Sequence, residues 1–221
     1  MKQPLLNIFR PQPPVVAEML WPNVIWHLPQ AEKTAYITFD DGPTPIYTEK
    51  ILKCLDEFNV PASFFCVGKN VASYPDIFSE ISKRGHLIGS HTYNHYKGWF
   101  CSNEKYYENV HKGANIVSSK YFRPPYGKIK FSQARYLSEL YTIVMWDVLS
   151  RDYDERISGQ ECFLNVKNYV NNGSIIVFHD SKKASKNLEY ALPKTIEYLL
   201  QHNYSLQSLD ASLVKTIPCI V

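Results

Sequence analysis

Disulfide chemistry is the first thing this chain lacks. Its five cysteines (Cys54, Cys66, Cys101, Cys162 and Cys219) are odd in number and scattered, with no C-x-x-C pair. That excludes a disulfide-dense scaffold and predicts free thiols. Long apolar runs are missing as well. The opening MKQPLLNIFRPQPPVVAEML is broken by four prolines and ends in no A-x-A pattern, so it reads as neither a secretory leader nor a membrane span. The expected location is therefore the cytoplasm, or the cell envelope if a leader is missing; the expected state is a monomer. An excess of one charge is absent too: the net charge is +3 with the signs interleaved, and no basic stripe alternates with aromatics, which argues against a nucleic-acid partner. There is no internal repeat, no low-complexity tract and no break in composition that marks a linker.

What remains is 221 residues with 45% hydrophobic content, enough for one sizeable core. From about residue 35 onward, short β-rich apolar runs alternate with helical patterns. AYITF precedes Asp40, and IYTEKILKCLDEF follows, with Ile46, Ile51, Leu52, Leu55 and Phe58 on one helical stripe. ASFFCVG and HLIGS read as strands around the helix YPDIFSEISKR, which Gly85 stops. SNEKYYENVHKGANIVSSK reads as a helix capped by Ser102. YFRPPYG is a short strand closed by a proline turn, FSQARYLSEL a helix, and YTIVMWDV and SIIVFHD are strands flanking the helix-like ECFLNVKNYVNN. KTIEYLLQH and YSLQSL complete the series as helix and strand. This alternation predicts right-handed βαβ crossovers and a distorted (β/α) barrel of about seven parallel strands over residues 35–221. Residues 1–34, with Trp21 and Trp26, are expected as an arm packed on its outside.

The polar residues fall at the ends of the apolar runs: Asp40 and Asp41, His91, Arg123, Asp147 and Asp152, then His179 and Asp180. In a parallel barrel those ends converge on one rim. HTYNH sets His91 and His95 four apart, within reach of one ion if the segment turns. Taken alone, that pair is equally a coincidence, and Asp40-Asp41-Gly42-Pro43 is equally a turn with helix-cap duty. Taken together, an aspartate and two histidines make a site for zinc or a neighbouring divalent ion. Such a cation also lets a second carboxylate stand ionised beside the first.

TFDDGPT (38–44), HTYNH (91–95), RPPYG (123–127), WDVLSRDY (146–153) and IIVFHD (175–180) resemble, in order, the five motifs of the polysaccharide deacetylases, the NodB-homology carbohydrate esterases of family 4. The resemblance spans roughly residues 34 to 210 and implies a metal-dependent hydrolase that removes N-acetyl groups from sugars of an acetylated glycan. It implies Asp41, His91 and His95 as ligands of one divalent metal, zinc first, with cobalt, nickel or manganese as alternatives. It implies Asp40 as general base held by Arg123, the Tyr126 backbone N–H as oxyanion donor, and His179 as general acid oriented by Asp152. Pro125, Trp146, Tyr153 and Val177 are the expected pocket residues.

The fourth motif departs from the family pattern. Leu149 stands where the family carries its first Asp, and Tyr153 where it carries Trp; Val177 replaces the usual Leu before the fifth-motif histidine. These changes touch the wall for the acetyl methyl. They leave two other readings open: a deacetylase or amidase of a small acetylated metabolite, and a carbohydrate-binding member without catalysis. His27, His86, His111 and His202 are read as structural.

Overall fold

The computed structural model describes residues 11–13 and 15–209. In chain order its elements begin with α1 (Val15–Leu20), β1 (Val24–Ile25), β2 (Thr34–Asp40), α2 (Tyr47–Phe58), β3 (Ser63–Cys66), α3 (Gly68–Ser73), α4 (Pro75–Lys83) and β4 (Leu87–Ser90). They continue with α5 (Asn103–Val117), β5 (Tyr121–Phe122), α6 (Phe131–Ser138), β6 (Thr142–Val144), β7 (Val148–Leu149), α7 (Gly159–Lys167), β8 (Ser174–His179), α8 (Ser185–Gln201) and β9 (Ser205–Leu206).

The run TAYITFD of β2 is buried at every position. A central parallel strand has neighbours on both edges and cover on both faces, so a continuous apolar run suits it better than alternation. β2 pairs with β8 along its length, with β3 over Thr38–Asp40 and with β9 at its start, all parallel. The sheet order is β1-β6-β5-β4-β3-β2-β8-β7, which curls into the expected distorted barrel. Its largest core cluster packs Phe39, Phe64 and Phe178 against Ile51, Leu55, Ile196 and Leu199 of α2 and α8. Phe39 stacks on Phe64 at 4.9 Å.

Register decides what meets at the rim. Asp40 lies opposite His179, and Ser90 opposite Phe122, so the next residues, His91 and Arg123, are neighbours on adjacent strands. Strands in register sit about 4.8 Å apart, close enough for side chains of one rim to share a hydrogen bond or an ion.

Four expectations change. YTIVMWDV is two strands: β6 pairs with β5 and β1, whereas β7 pairs with β8, and Met145, Trp146 and Asp147 carry the chain from one sheet edge to the other. Asp147 consequently sits at the start of β8, away from the rim, where its carboxylate accepts from Ile175 N (2.6 Å) and Ser174 Oγ (2.7 Å). Ile46 lies outside α2, exposed, with φ 71°, so the buried stripe is Ile51, Leu52 and Leu55. The last helix starts at Ser185 and runs through Pro193, because Leu188, Ala191 and Leu192 share a buried face with Ile196 and Leu199.

Of the first 34 residues, Val24–Ile25 adds β1 to the sheet beside β6, while Trp21 and Trp26 pack on the cluster around Phe122 and Leu137. Ser102 caps α5 as expected, accepting from Lys105 N at 3.4 Å. Cys54, Cys66, Cys101 and Cys162 are free thiols; Cys219 lies outside the described residues. No described helix is long and apolar enough to cross a membrane.

Candidate active site

The rim opens as a cleft of about 710 Å³ whose walls include Asp40, Asp41, His91, His95, Tyr126 and His179. Asp41 Oδ1 lies 3.1 Å from His95 Nε2 and 3.9 Å from His91 Nε2. One donor atom from each of the three falls within 4.8 Å of the others. Tetrahedral zinc with bonds near 2.05 Å needs its ligand atoms about 3.3 Å apart, so this set fits a divalent ion with little movement.

Backbone chemistry fixes each donor. His91 Nδ1 lies 2.8 Å from the Arg123 carbonyl, which can only accept, so that nitrogen carries the proton and the Nε2 lone pair faces Asp41. Burial pushes the His91 imidazole down to about 4 against the opposing charge of Asp40, so it is neutral, as a ligand must be. His95 reaches the same point through a bend in which Thr92 and His95 both take positive φ, not through a helical turn. Asn109 of α5 holds that bend: its Oδ1 accepts from Tyr93 N (3.1 Å) and Asn94 N (2.9 Å). Asp41 has φ 87°, and its carbonyl accepts from Asn70 Nδ2 at 2.8 Å. Burial would raise its carboxyl, but the hydrogen bond from His95 and the neighbouring imidazoles outweigh that and hold it below the usual range.

Asp40 is gripped from behind. Arg123 is fully buried and donates from Nη1 to Asp40 Oδ1 (2.7 Å) and Thr38 Oγ1 (2.8 Å), from Nη2 to Met145 O (3.0 Å) and from Nε to Val144 O (3.2 Å). Its guanidinium also lies 4.0 Å over the Phe65 ring. Burial pulls Arg123 below its ordinary value while Asp40 pulls it back, so the pair is a buried salt bridge that only its full set of hydrogen bonds makes tolerable.

Across the cleft, Asp152 is wholly buried and accepts twice from one residue, from His179 Nδ1 (2.8 Å) and His179 N (2.7 Å). Asn187 Nδ2 donates to the Asp152 carbonyl at 3.0 Å. Burial alone would lower His179, but the carboxylates of Asp152, Asp41 and Asp40 push it up to about 9, leaving Nε2 protonated at neutral pH. The Tyr153 ring meets His179 edge-on at 5.0 Å.

Trp146, Tyr153 and Val177 line the cleft, and Leu149 joins them. Pro125 is buried within the turn Pro125–Gly127 and does not line the cleft. Tyr126, at φ 60° in that turn, sets its ring 4.8 Å from His95. Asp180 is buried behind the rim: Thr48 Oγ1 donates to its Oδ2 at 2.7 Å, and burial raises the carboxyl to about 8. A Cβ on Gly42 would fall 1.8 Å from the same oxygen, so only glycine allows this approach. Among the remaining histidines, His86 accepts from Ala62 N, His111 bonds Tyr141, His202 bonds the Tyr198 carbonyl and His27 faces Glu18, all structural roles. Sequence reasoning missed Lys69, Asn70 and Lys183 on the cleft wall and Thr38, Asn109 and Asn187 behind it. Only Asn70 and Lys69 had a usable signal, as the first residues after a strand end.

A parallel α/β barrel with one acid held by a guanidinium, one imidazole held by an acid and an open Asp-His-His donor set between them is built for hydrolysis. The comparisons narrow that class. The polysaccharide deacetylase family profile matches residues 27–142. A peptidoglycan-N-acetylglucosamine deacetylase of Bacillus cereus is 33% identical over 198 residues, covering 86% of this chain and 92% of that protein. Chitin deacetylase 2 of Saccharomyces cerevisiae is 34% identical over 173 residues, covering 72% of this chain and 54% of that protein. Thus the chain spans nearly all of one relative and about half of the other. Among solved structures, a peptidoglycan N-acetylglucosamine deacetylase in complex with a naphthyl N-hydroxybenzamide superposes with a TM-score of 0.80 at 31% identity, over 85% of this chain and 91% of that one. Peptidoglycan deacetylase PdaC from Bacillus subtilis gives 0.73 at 26% identity, over 84% and 91%. The chain belongs to the polysaccharide deacetylase family, hydrolases of amide C–N bonds, with the NodB-type barrel.

Proposed function

We propose that this chain is a divalent-metal-dependent deacetylase that removes N-acetyl groups from N-acetylglucosamine-type sugars within a glycan, and that zinc is the working metal. The observation that carries this reading is the meeting of Asp41, His91 and His95 between a restrained Asp40 and a protonated His179 on one cleft. Asp41, His91 and His95 would hold the ion, which when bound polarises the acetyl carbonyl and acidifies water. Arg123 occupies Asp40 Oδ1, so Oδ2 is the oxygen that takes the proton of the attacking water. The Tyr126 backbone N–H stabilises the tetrahedral oxyanion. His179 Nε2–H then protonates the departing amine, a poor leaving group without it, while Asp152 keeps the imidazole in the required tautomer. Trp146, Leu149, Tyr153 and Val177 form an apolar wall for the acetyl methyl, with Trp146 packed against Gly127. A purely binding member would have lost a base, an acid or a ligand, and every one of these positions is filled.

The test is acetate release from acetylated oligosaccharides together with metal analysis. Asp40→Asn is expected to retain the metal and lose about 10²–10⁴-fold in turnover, whereas His91→Ala loses both metal and turnover. Near-native rates for Asp40→Asn would remove the base from this scheme.

A further inference from the structure

The deacetylation chemistry gives no part to Asp180, although it directly follows His179 and is buried against the turn that carries Asp40 and Asp41. Its carboxyl fills the inside of that turn. Thr48 Oγ1 of α2 accepts from Thr44 N (2.7 Å) and donates to Asp180 Oδ2 (2.7 Å), so a relay of bonds joins the far end of the turn to the carboxyl. At the near end, the three heavy atoms closest to a Cβ built on Gly42 all belong to the same carboxyl. The Asp180 backbone grips the turn as well: its N–H donates to Asp40 O (3.1 Å), and its carbonyl accepts from Thr44 Oγ1. On the outer side, Asp41 O accepts from Asn70 Nδ2 and Gly42 O from Val67 N, both at 2.8 Å. The carbonyls of Asp40, Asp41 and Gly42 are thus held by the end of β8, by α3 and by the end of β3 in turn.

Asp41 itself sits at φ 87°, a left-handed conformation that a residue other than glycine keeps only where its surroundings over-determine it. With the carbonyls held outside and the carboxyl packed inside, the turn cannot rotate Asp41 without displacing Asp180. We propose that Asp180 is a positioning residue: through Gly42 and Thr48 it fixes the direction in which Asp41 presents its carboxylate to the metal. Because it follows His179 on β8, the same residue ties the strand of the general acid to the loop of the metal ligand. This rests on the metal reading above and goes beyond it, since Asp180 lies outside the cleft lining. The role needs an acceptor at Oδ2 and a side chain that fills the turn. Oδ1 has no hydrogen-bond partner among the described residues, so asparagine can place its amide nitrogen there and lose no bond. Alanine loses both the acceptor and the filling, and strands the Thr48 hydroxyl.

The experiment measures zinc affinity of the folded full chain by competition with a chromophoric chelator, and the visible spectrum of the cobalt-loaded form, which reports ligand geometry. Asp180→Ala and Gly42→Ala are each expected to weaken zinc by about ten- to a hundredfold and to alter the cobalt bands, as loss of support behind a ligand does. Asp180→Asn should stay within about threefold of wild type, the net worth of one hydrogen bond. Combining Gly42→Ala with Asp180→Ala should weaken zinc by less than the product of the two single effects, because the new Cβ enters the space that the carboxyl leaves. Wild-type affinity and cobalt bands in Asp180→Ala, with only Tm lowered, would overturn the proposal, for that is the signature of a side chain that merely fills space. Asp180→Asn as weak as Asp180→Ala would overturn it too, by assigning the effect to charge instead of placement. If Asp180→Ala does not fold, Thr48→Val decides, since it keeps the shape and removes the donor to Oδ2: weakening by about threefold or more supports the proposal, and unchanged affinity overturns it. A wild-type chain with no zinc site, indistinguishable from His91→Ala, would sink the metal reading and this proposal with it. A wild-type site that every variant leaves intact sinks this proposal alone.

Discussion

His179 shows how one residue carries the chemistry of its surroundings. Its imidazole is buried, which opposes a charge, yet Asp152 at 2.8 Å and the nearby Asp41 and Asp40 raise it to about 9. A raised value means the acid form dominates below it and is lost as pH rises through it. The basic limb of the kcat/KM profile should therefore follow His179. Replacing Asp152 with Asn removes the nearest negative charge, and the limb should move down by about one pH unit or more. The check is a pH–rate profile of acetate release at saturating metal, and an unmoved limb would detach His179 from the acid role. Linkage runs the same way. The unfolded imidazole titrates near 6.5, roughly the free value, so the stability that the Asp152 contact contributes is fully present below that pH and disappears as pH rises through about 9. The residues at strand ends were legible: Asp41, His91, Arg123, Asp152 and His179 lie at or just past the end of an apolar run, and His95 stood out by its spacing from His91. Asp147 and Asp180 obey the same local rule and sit elsewhere, because partners distant in sequence, Ile175 and Thr48, draw their carboxylates away from the cleft.

At the scale of elements, the metal site depends on a helix that supplies no ligand. α5 holds the bend of residues 92–95 through Asn109, and Gly113 lets it approach so closely that a Cβ there would lie 2.5 Å from the Thr92 carbonyl carbon. Asn109→Ala should leave Asn94 N–H unpaired, while Tyr93 N–H keeps its bond to the carbonyl of residue 109; it should cost about 1–3 kcal/mol and weaken metal affinity by about tenfold or more. Metal titration of the purified variant tests this, and unchanged affinity would mean that His95 holds its position without the helix. The helix itself was readable from SNEKYYENVHKGANIVSSK and its Ser102 cap. Its grip on the ligand loop was not, because an asparagine on a helix carries no local sign of which backbone it will meet. The division of YTIVMWDV between two sheet edges escaped sequence reading for a related reason. Apolar periodicity tells that a segment is extended, but not where it changes partners.

For the whole molecule, the proposed ion would join the end of β2, the end of β4 and the loop behind β4. An ion that binds the folded chain alone stabilises it by ~2.7 kcal/mol at one hundred times its dissociation constant. For a domain of this size that corresponds to a rise in Tm of roughly 5–10 °C. Chelation should lower Tm by that amount, zinc should restore it, and His91→Ala should respond to neither. A wild-type Tm indifferent to chelator would remove the ion from the folded-state energetics.

Local patterns in the chain were enough to establish the alternation of strands and helices, the parallel barrel that this alternation forces, and the order in which acids, imidazoles and a guanidinium arrive at strand ends. Period and residue type are properties of neighbours in sequence, and handed crossovers leave little choice of topology. Tertiary structure alone decided which of those acids face the cleft and how Thr38, Asn70, Asn109 and Asn187 brace it. Each of these is a relation between groups far apart along the chain, where distance and burial, not local pattern, set the energy.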